Sequence, residues 1–307
     1  MSYLPVKTKK ATPVFQSSEL RTERSMLLML AVVGLYTICS LNDKYAVSKA
    51  GYNGSQLTFL MAAGTVPFLL LTLPFSDCTL TPNWLAALFV LLIALSKYLE
   101  FDMSAKILEQ MSAFELKAWL GILLFVSYFT DMILDSEALS IPKLLFIALT
   151  VAGLVLIAVS GRGQVNYKKI ALPLVLYLGA RFLYGIVVKF AEGIISTTLM
   201  LLFALIILAV VTAPAAKPFS IAKNSPEGKK GVIIVLLCKL PNALGLLGEN
   251  AVTAESLTNA AFISPMMLIT IFIAGLFDKS TRPTGLNLVG SIVCIAGILG
   301  FQAVGLL

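Results

Sequence analysis

The 307-residue sequence contains no histidine. This absence excludes histidine general acids and bases, histidine metal ligands and the side chain most often used as a pH switch near neutrality. Charged residues are scarce too, at 13% of the chain, whereas about a quarter is usual for a soluble protein. The hydrophobic share is 58% and the mean hydropathy is +0.93. We therefore expect a protein that folds in lipid rather than in water.

The spacing of the cysteines gives no sign of redox or metal-binding chemistry. The four cysteines form no C-x-x-C pair; Cys39, Cys238 and Cys294 lie within apolar runs, and Cys78 lies in a polar stretch. Isolated cysteines of this kind are typical packing residues, so we predict no disulfide framework, no metal site and no bound cofactor. The net charge of +7 is typical of the loops of membrane proteins, and it does not indicate a nucleic-acid partner.

Long apolar runs, in contrast, are abundant. A helix needs about 20 mostly apolar residues to cross the hydrocarbon core, and the chain divides at its polar, proline and glycine clusters into ten such runs. The sequence therefore predicts an all-α integral membrane protein with ten transmembrane helices and with both termini on the same side. The predicted spans are 26–47, 55–74, 84–107, 112–133, 142–160, 169–190, 195–213, 231–253, 256–277 and 284–304.

The orientation of these spans follows from the lysines and arginines that flank them. The polar tail 1–25 carries five of them, and charge before the first span usually dominates, so the tail predicts that both termini are cytosolic. The total over all loops is larger on the opposite side and favours the reverse orientation. The sequence leaves both orientations open. In a bacterium, the multi-pass protein would lie in the cytoplasmic membrane.

The chain also repeats itself weakly at an offset near 145 residues. Because each half then holds five spans, an odd number, the second half must be inserted upside down relative to the first. We therefore predict two inverted five-helix repeats. The matching residues include Gly34 with Gly179, Lys44 with Lys189, and Gly153 with Gly297. The predicted domains are the tail 1–25, the first repeat 26–161, the connecting loop 162–168 and the second repeat 169–307.

The ends of the two halves resemble one family in particular. The first half ends in SAFELKAWLGILLFVSYFTDMILDSEALSIPKLLFIALTVAGLVLIAVSG and the second in SLTNAAFISPMMLITIFIAGLFDKSTRPTGLNLVGSIVCIAGILG. Together with the five-plus-five layout, these stretches resemble the EamA-like ten-helix permeases of the drug/metabolite transporter superfamily. Asp135 and Asp278 stand where that family usually has glutamate, and Gly121 where it commonly has proline. The resemblance implies an inverted-repeat permease for a small molecule.

Ionisable residues in the middle of the predicted spans mark a candidate site. Burying such a group in the membrane costs about 2.5–3.5 kcal/mol, so Lys97, Arg181 and Lys239 each need a partner, a wet cavity or a function. We predict that they line an aqueous cavity and bind an anionic group of the substrate; internal ion pairs that only fix helix packing are the alternative. The predicted substrate-binding residues are Tyr36, Asn42, Lys97, Glu100, Arg181, Tyr184, Lys239, Asn242, Glu249 and Asn250.

These features predict a secondary transporter rather than an enzyme, moving a small polar, anionic or zwitterionic metabolite by alternating access. An integral membrane enzyme of prenyltransferase type is the alternative. Asp131 and Asp135 are four residues apart, a spacing that suits a magnesium–diphosphate ligand, although such sites need a second acidic cluster that the sequence lacks. Beyond the substrate and the bilayer, the expected partner is a second copy of the chain.

The last predicted span supplies the reason for expecting a homodimer. Gly290, Cys294 and Gly297 follow one another at helical spacing, and small residues let membrane helices approach closely. The matching fifth span offers Ala148 and Ala152. We therefore expect these two closing helices to support the interface between the repeats or a dimer.

Overall fold

The computed structural model describes residues 14–76, 78–111, 113–134, 139–160, 167–277 and 285–306. Throughout these ranges the chain is helical between short connections, and β pairing is limited there to an isolated bridge between Leu80 and Ile195. The prediction of an all-α fold is confirmed. The predicted residues Asp135 and Asp278, the tail before residue 14 and most of the loop 162–168 lie outside the described residues.

The helices follow one another with few long connections. They are α1 (Val14–Ser48), α2 (Gly54–Thr72), α3 (Trp84–Leu108), α4 (Ala113–Leu120), α5 (Leu123–Leu134), α6 (Ile141–Ser160), α7 (Tyr167–Phe190), α8 (Thr197–Ala216), α9 (Pro218–Asn224), α10 (Gly228–Leu237), α11 (Lys239–Glu255), α12 (Leu257–Phe277) and α13 (Gly285–Leu306), with a 3₁₀ turn at Leu73–Phe75.

Several of these helices are long and apolar enough to cross a membrane. Among the described residues, six such stretches are found, and α5, α6, α12 and α13 contain shorter apolar helices. Large apolar side chains cover the outside of the bundle, for example Leu71, Ile133 and Leu299, which are all more than half exposed. An exposed apolar surface of this kind is stable only in lipid. The chain is therefore a multi-pass membrane protein.

Two of the predicted spans are broken helices. Span 112–133 is divided between α4 and α5 at Gly121, and span 231–253 is divided between α10 and α11 at Cys238. In the second case, Pro241 lies in the first turn of α11, where its missing N–H group is tolerated, whereas inside a continuous helix it would remove a hydrogen bond. The break makes Lys239 the first residue of a new helix.

Helix starts elsewhere follow the local sequence. The Asn53 side chain accepts a hydrogen bond from the Gln56 backbone N–H, and the Gln56 side chain accepts one from Asn53 N–H, which completes a capping box at α2. Asn83 caps α3 and Ser196 caps α8 through their side-chain oxygens. These caps satisfy backbone donors that lipid cannot satisfy.

The connections gather at two ends of the bundle. At one end, here the proximal end, the connection before α3 pairs with the connection before α8 through Leu80 and Ile195, and Asp131 near the end of α5 contacts the start of α12. At the other, the distal end, Ser225 before α10 donates a hydrogen bond to the carbonyl oxygen of Ala50 after α1. The long helices run between these two ends.

The closest helix packing joins α6 to α13. A Cβ atom placed on Gly153 would lie 2.4 Å from the Cys294 backbone nitrogen, and one on Gly290 would lie 2.8 Å from the Gly153 carbonyl oxygen. Gly297 packs equally closely against Thr150. Hence the small residues noted in the last span contact the closing helix of the first half. A homodimer stays a prediction.

Candidate functional site

A buried network of charges lies at the centre of the bundle. The Arg181 guanidinium on α7 donates to Glu100 on α3 at 3.0 Å and to Glu249 on α11 at 2.5 Å. The Lys97 ammonium, which is 1% exposed, lies 2.8 Å from the other Glu100 oxygen. Because residues three apart share a helix face, Lys97 and Glu100 meet within α3. Two ion pairs thereby join the three helices, and a third lies within α3.

Polar aromatic residues complete this network. The Tyr36 hydroxyl on α1 donates to Glu249 at 2.5 Å, and the Tyr184 hydroxyl on α7 donates to the Asn250 side-chain oxygen. The Lys97 ammonium also lies 3.9 Å from the centre of the Tyr184 ring, a distance typical of a cation–π contact. Carboxylates and cations in the network are therefore matched almost entirely by one another.

A second cluster surrounds Lys239. Its ammonium is fully buried and contacts the Met61 thioether at 2.6 Å, while the closest carboxylate oxygen, on Asp43, is 3.8 Å away. Beside it, the Asn242 side-chain amide donates to the Thr65 hydroxyl at 3.1 Å. Two features create the space for this lysine. The helix breaks before α11, and α2 has a glycine, Gly64, where it packs against the aliphatic stem of Lys239.

Two small cavities adjoin the charge network. The first measures about 60 Å³ and extends towards the distal end, where Leu108 and Leu116 line it. A water molecule needs roughly 10–15 Å³ by this measure, so the cavity has room for a few waters. Its polar lining residues are Tyr36, Ser40, Asp43, Lys97, Glu100, Ser104, Lys117, Tyr177, Arg181, Asn242 and Ser264.

The second cavity measures about 40 Å³ and extends towards the proximal end, where Leu257 at the start of α12 lines it. Arg181 and Ser264 line both cavities, and Glu249 lines the second. The Arg181–Glu249 ion pair therefore lies between a distal and a proximal cavity. Hereafter these are called the distal cavity and the proximal cavity.

Most residues predicted from the sequence meet at this site. The predicted residues in the charge network or on a cavity wall are Tyr36, Lys97, Glu100, Arg181, Tyr184, Asn242, Glu249 and Asn250. Lys239 is linked to the distal cavity through Asp43. Asn42 differs from these, because it is buried on α1 with both polar side-chain atoms unpaired among the described residues and lines neither cavity.

The residues predicted from the sequence did not include six polar residues of the distal cavity, namely Ser40, Asp43, Ser104, Lys117, Tyr177 and Ser264. Lys117 lies near the start of a predicted span, a position that indicates an interfacial side chain. It reaches the cavity because α4 is short and ends at the Gly121 break. A charge one turn before a helix break is the signal that could have identified it, since broken membrane helices often line cavities.

Asp131 has a structural role at the proximal end. Its carboxylate accepts hydrogen bonds from the backbone N–H groups of Leu257 and Thr258 and from the Ser256 and Thr258 hydroxyls. It also pairs with Lys189 at 3.1 Å. A carboxylate that accepts this many hydrogen bonds caps α12 and has few lone pairs left to bind a metal ion. Among the described residues, no group of acidic, cysteine or histidine side chains could hold a metal.

Comparison with known proteins supports the fold alone. No protein-family model and no curated protein sequence matches the chain. Solved structures do match, and one of them, a chain described as "Crystal structure of protein", has a TM-score of 0.63 at 15% identity. The match covers 92% of this chain and 99% of that one. The helical arrangement is therefore shared over nearly the whole length, with no information about function.

Proposed function

We propose that the protein is a secondary transporter that moves a small polar metabolite across the membrane by alternating access. The observation that carries this proposal is the position of the Arg181–Glu249 ion pair, which separates a distal from a proximal cavity in the middle of the bundle. Charges buried at mid-membrane are costly, and transport pathways are where proteins use them. Both cavities are small, at about 40 and 60 Å³, which fits a conformation in which neither pathway is fully open.

Helix packing supports the inverted repeat that this mechanism needs. If α1, α2, α3 and α6 correspond to α7, α8, α11 and α13 by position, with α3 matching the α10–α11 pair, then several of the largest helix contacts have a counterpart. Exchange of the two halves turns the α1–α11 contact into the α7–α3 contact. It leaves the α2–α8 and α6–α13 contacts unchanged, because each of these joins a helix to its own counterpart. Such exchange is expected for two halves related by an axis in the membrane plane.

The matched lysines Lys44 and Lys189 fit the same scheme. Lys44 donates to the carbonyl oxygens of Leu108 and Met111 at the distal end, whereas Lys189 pairs with Asp131 at the proximal end. In our proposal, each lysine holds its own end closed. Release of one contact opens one cavity, and release of the other opens the opposite cavity.

Charge at the site favours an anionic or zwitterionic substrate. Seven charged residues line the distal cavity or bond to its lining: Lys97, Lys117, Arg181, Lys239, Asp43, Glu100 and Glu249. Four are basic and three acidic, which leaves one positive charge for an anion to compensate. Membership of the EamA-like permeases remains part of this proposal and rests on the sequence resemblance. The prenyltransferase alternative is weakened because Asp131 is engaged in capping α12.

Uptake by proteoliposomes tests the proposed function. We expect the purified, reconstituted protein to accumulate or exchange at least one radiolabelled organic anion or amino acid from a panel of pyruvate, glutamate and malate, whereas protein-free liposomes do not. Choline serves as the cationic probe and glucose as the neutral probe. Uptake restricted to choline or glucose contradicts the anionic or zwitterionic substrate class, and product formation from isoprenyl diphosphate and magnesium without any uptake contradicts the transport proposal.

A further inference from the structure

We propose that Lys239 and Lys117 bind the anionic group of the substrate in the distal cavity, and that this substrate is a small carboxylate with a net charge of −1. The inference rests on the proposed transport function and makes it more specific. It also assigns Arg181 a different task from the one its position first indicates, because Arg181 holds the two acidic residues that divide the cavities.

The charges of the network cations are already balanced by carboxylates. Arg181 directs its two terminal nitrogens to Glu100 and Glu249, and Lys97 is committed to Glu100 and to the Tyr184 ring. An anion bound there would either add an unbalanced negative charge beside Glu100 and Glu249 or displace one of these buried carboxylates from its partner, and both are costly. Substrate recognition at Arg181 or Lys97 is therefore unfavourable in this conformation.

Lys239 is in the opposite situation. An ammonium group has three N–H donors, yet this one contacts a thioether, which is a weak acceptor, and an Asp43 oxygen at 3.8 Å, beyond hydrogen-bond distance. It is fully buried, so bulk water does not compensate. The Asp43 Oδ1 atom is itself buried without a hydrogen bond.

Lys117 is the second cation with free capacity. It lines the distal cavity together with Asp43 and Asn242, and within the part of the chain that the structure describes it makes no ion pair or hydrogen bond. Lys117 is on α4 in the first half, whereas Lys239 is on α11 in the second half. An anion held by both would therefore contact both halves of the bundle.

The net charge of the substrate follows from neutrality. The seven charged residues of the site leave one positive charge, and a buried site is most stable when its charges are balanced. A carboxylate of net charge −1, including an amino acid with an acidic side chain, achieves that balance. A phosphate group carries about −1.5 to −2 at neutral pH and would leave excess negative charge.

Ligand binding to purified protein tests the inference. We expect glutamate or pyruvate to raise the unfolding temperature of the unchanged protein, because a ligand that binds the folded state stabilises it. Lys239→Met and Lys117→Met should each weaken the Kd for that ligand by at least about tenfold, since each removes a charged hydrogen-bond donor. Lys169→Met, at an exposed lysine of α7, is the matched control and should leave the Kd unchanged.

A second measurement separates binding from folding. The double variant Asp43→Asn/Lys239→Met should unfold at a higher temperature than the unchanged protein without ligand, because it removes a poorly paired buried ammonium. A variant that is more stable yet binds less tightly cannot be explained by misfolding. A double variant that is less stable would overturn the assignment of Lys239 as an unsatisfied cation.

The remaining outcomes distinguish this inference from the transport proposal. Unchanged Kd values in both lysine variants, with transport intact, overturn the binding residues and leave the proposed function standing. Stronger stabilisation by malate or inorganic phosphate than by glutamate and pyruvate overturns the net charge of −1. Stabilisation by choline alone overturns the inference and the anionic substrate class, whereas no stabilisation by any probe together with absent uptake overturns the inference and the proposed function together.

Discussion

Arg181→Met is expected to destabilise the protein by about 3–5 kcal/mol and to abolish transport. The reason is that Glu100 and Glu249 lose a shared cation while they remain buried, and an uncompensated buried charge costs this much. Lys97 still compensates part of the Glu100 charge, but Glu249 keeps only the Tyr36 hydroxyl. Thermal unfolding in detergent measures the loss of stability, and proteoliposome uptake measures the loss of function.

A second substitution separates charge from packing in this experiment. The double variant Arg181→Met/Glu249→Gln replaces Glu249, the carboxylate left without a cation, by a neutral amide. We expect it to recover a large part of the lost stability without recovering transport. Arg181→Lys should fall between the two, because one ammonium cannot reach two carboxylates with the fork geometry of a guanidinium. Wild-type stability in Arg181→Met would mean that the ion pairs contribute little to the central packing.

Gly153→Ala is expected to destabilise the protein by at least about 2 kcal/mol, and Gly153→Leu to prevent stable folding. The α6–α13 contact is a backbone contact at this point, and the new Cβ atom would lie 2.4 Å from a backbone nitrogen and 2.6 Å from a backbone carbonyl oxygen. Backbone atoms cannot move away as side chains can, so the two helices must separate and lose their packing. The measurement is the unfolding temperature together with the yield of monodisperse protein.

Gly179→Ala on α7 is the matched control for this packing prediction. It is also a glycine inside a helix, but a Cβ atom there meets nothing within 4 Å. Alanine favours a helix over glycine by up to about 1 kcal/mol, so this variant should be as stable as the unchanged protein or slightly more stable. Equal effects at Gly153 and Gly179 would contradict the close helix contact.

Local features of the site could be predicted from the sequence because they depend on spacing. The three-residue separation of Lys97 and Glu100 predicts a shared helix face, and the two residues pair. Depth within a span identified Arg181 as a residue that needs a partner. Its partners are Glu249, 68 residues away in the same half, and Glu100, 81 residues away in the other half, and both pairings depend on helix packing that local spacing does not show.

Helix positions were predictable from apolar runs, whereas breaks inside those runs were not. Each predicted span coincides with one helix or with two consecutive helices separated by a break. The reason is that the thickness of the hydrocarbon core sets the length of the apolar run and of the helical segment that crosses it. The positions of the break at Cys238 and of the end of α4 depend instead on which backbone N–H and C=O groups form hydrogen bonds outside a continuous helix. Lys117 and Lys239 are placed by these breaks, so the two residues proposed to bind the substrate were the hardest to assign from sequence.

Chemical access to the two cavities tests most directly whether they open alternately. Cys39 lines the distal cavity and Ser127 the proximal cavity, and both side chains are buried. With the other cysteines changed to serine, Cys39 or a cysteine from Ser127→Cys can be labelled with a polar maleimide. We predict that Lys44→Met speeds labelling at position 39 and slows it at position 127, and that Lys189→Met does the reverse. Rates that rise together at both positions, or that respond to neither lysine, would contradict alternating access.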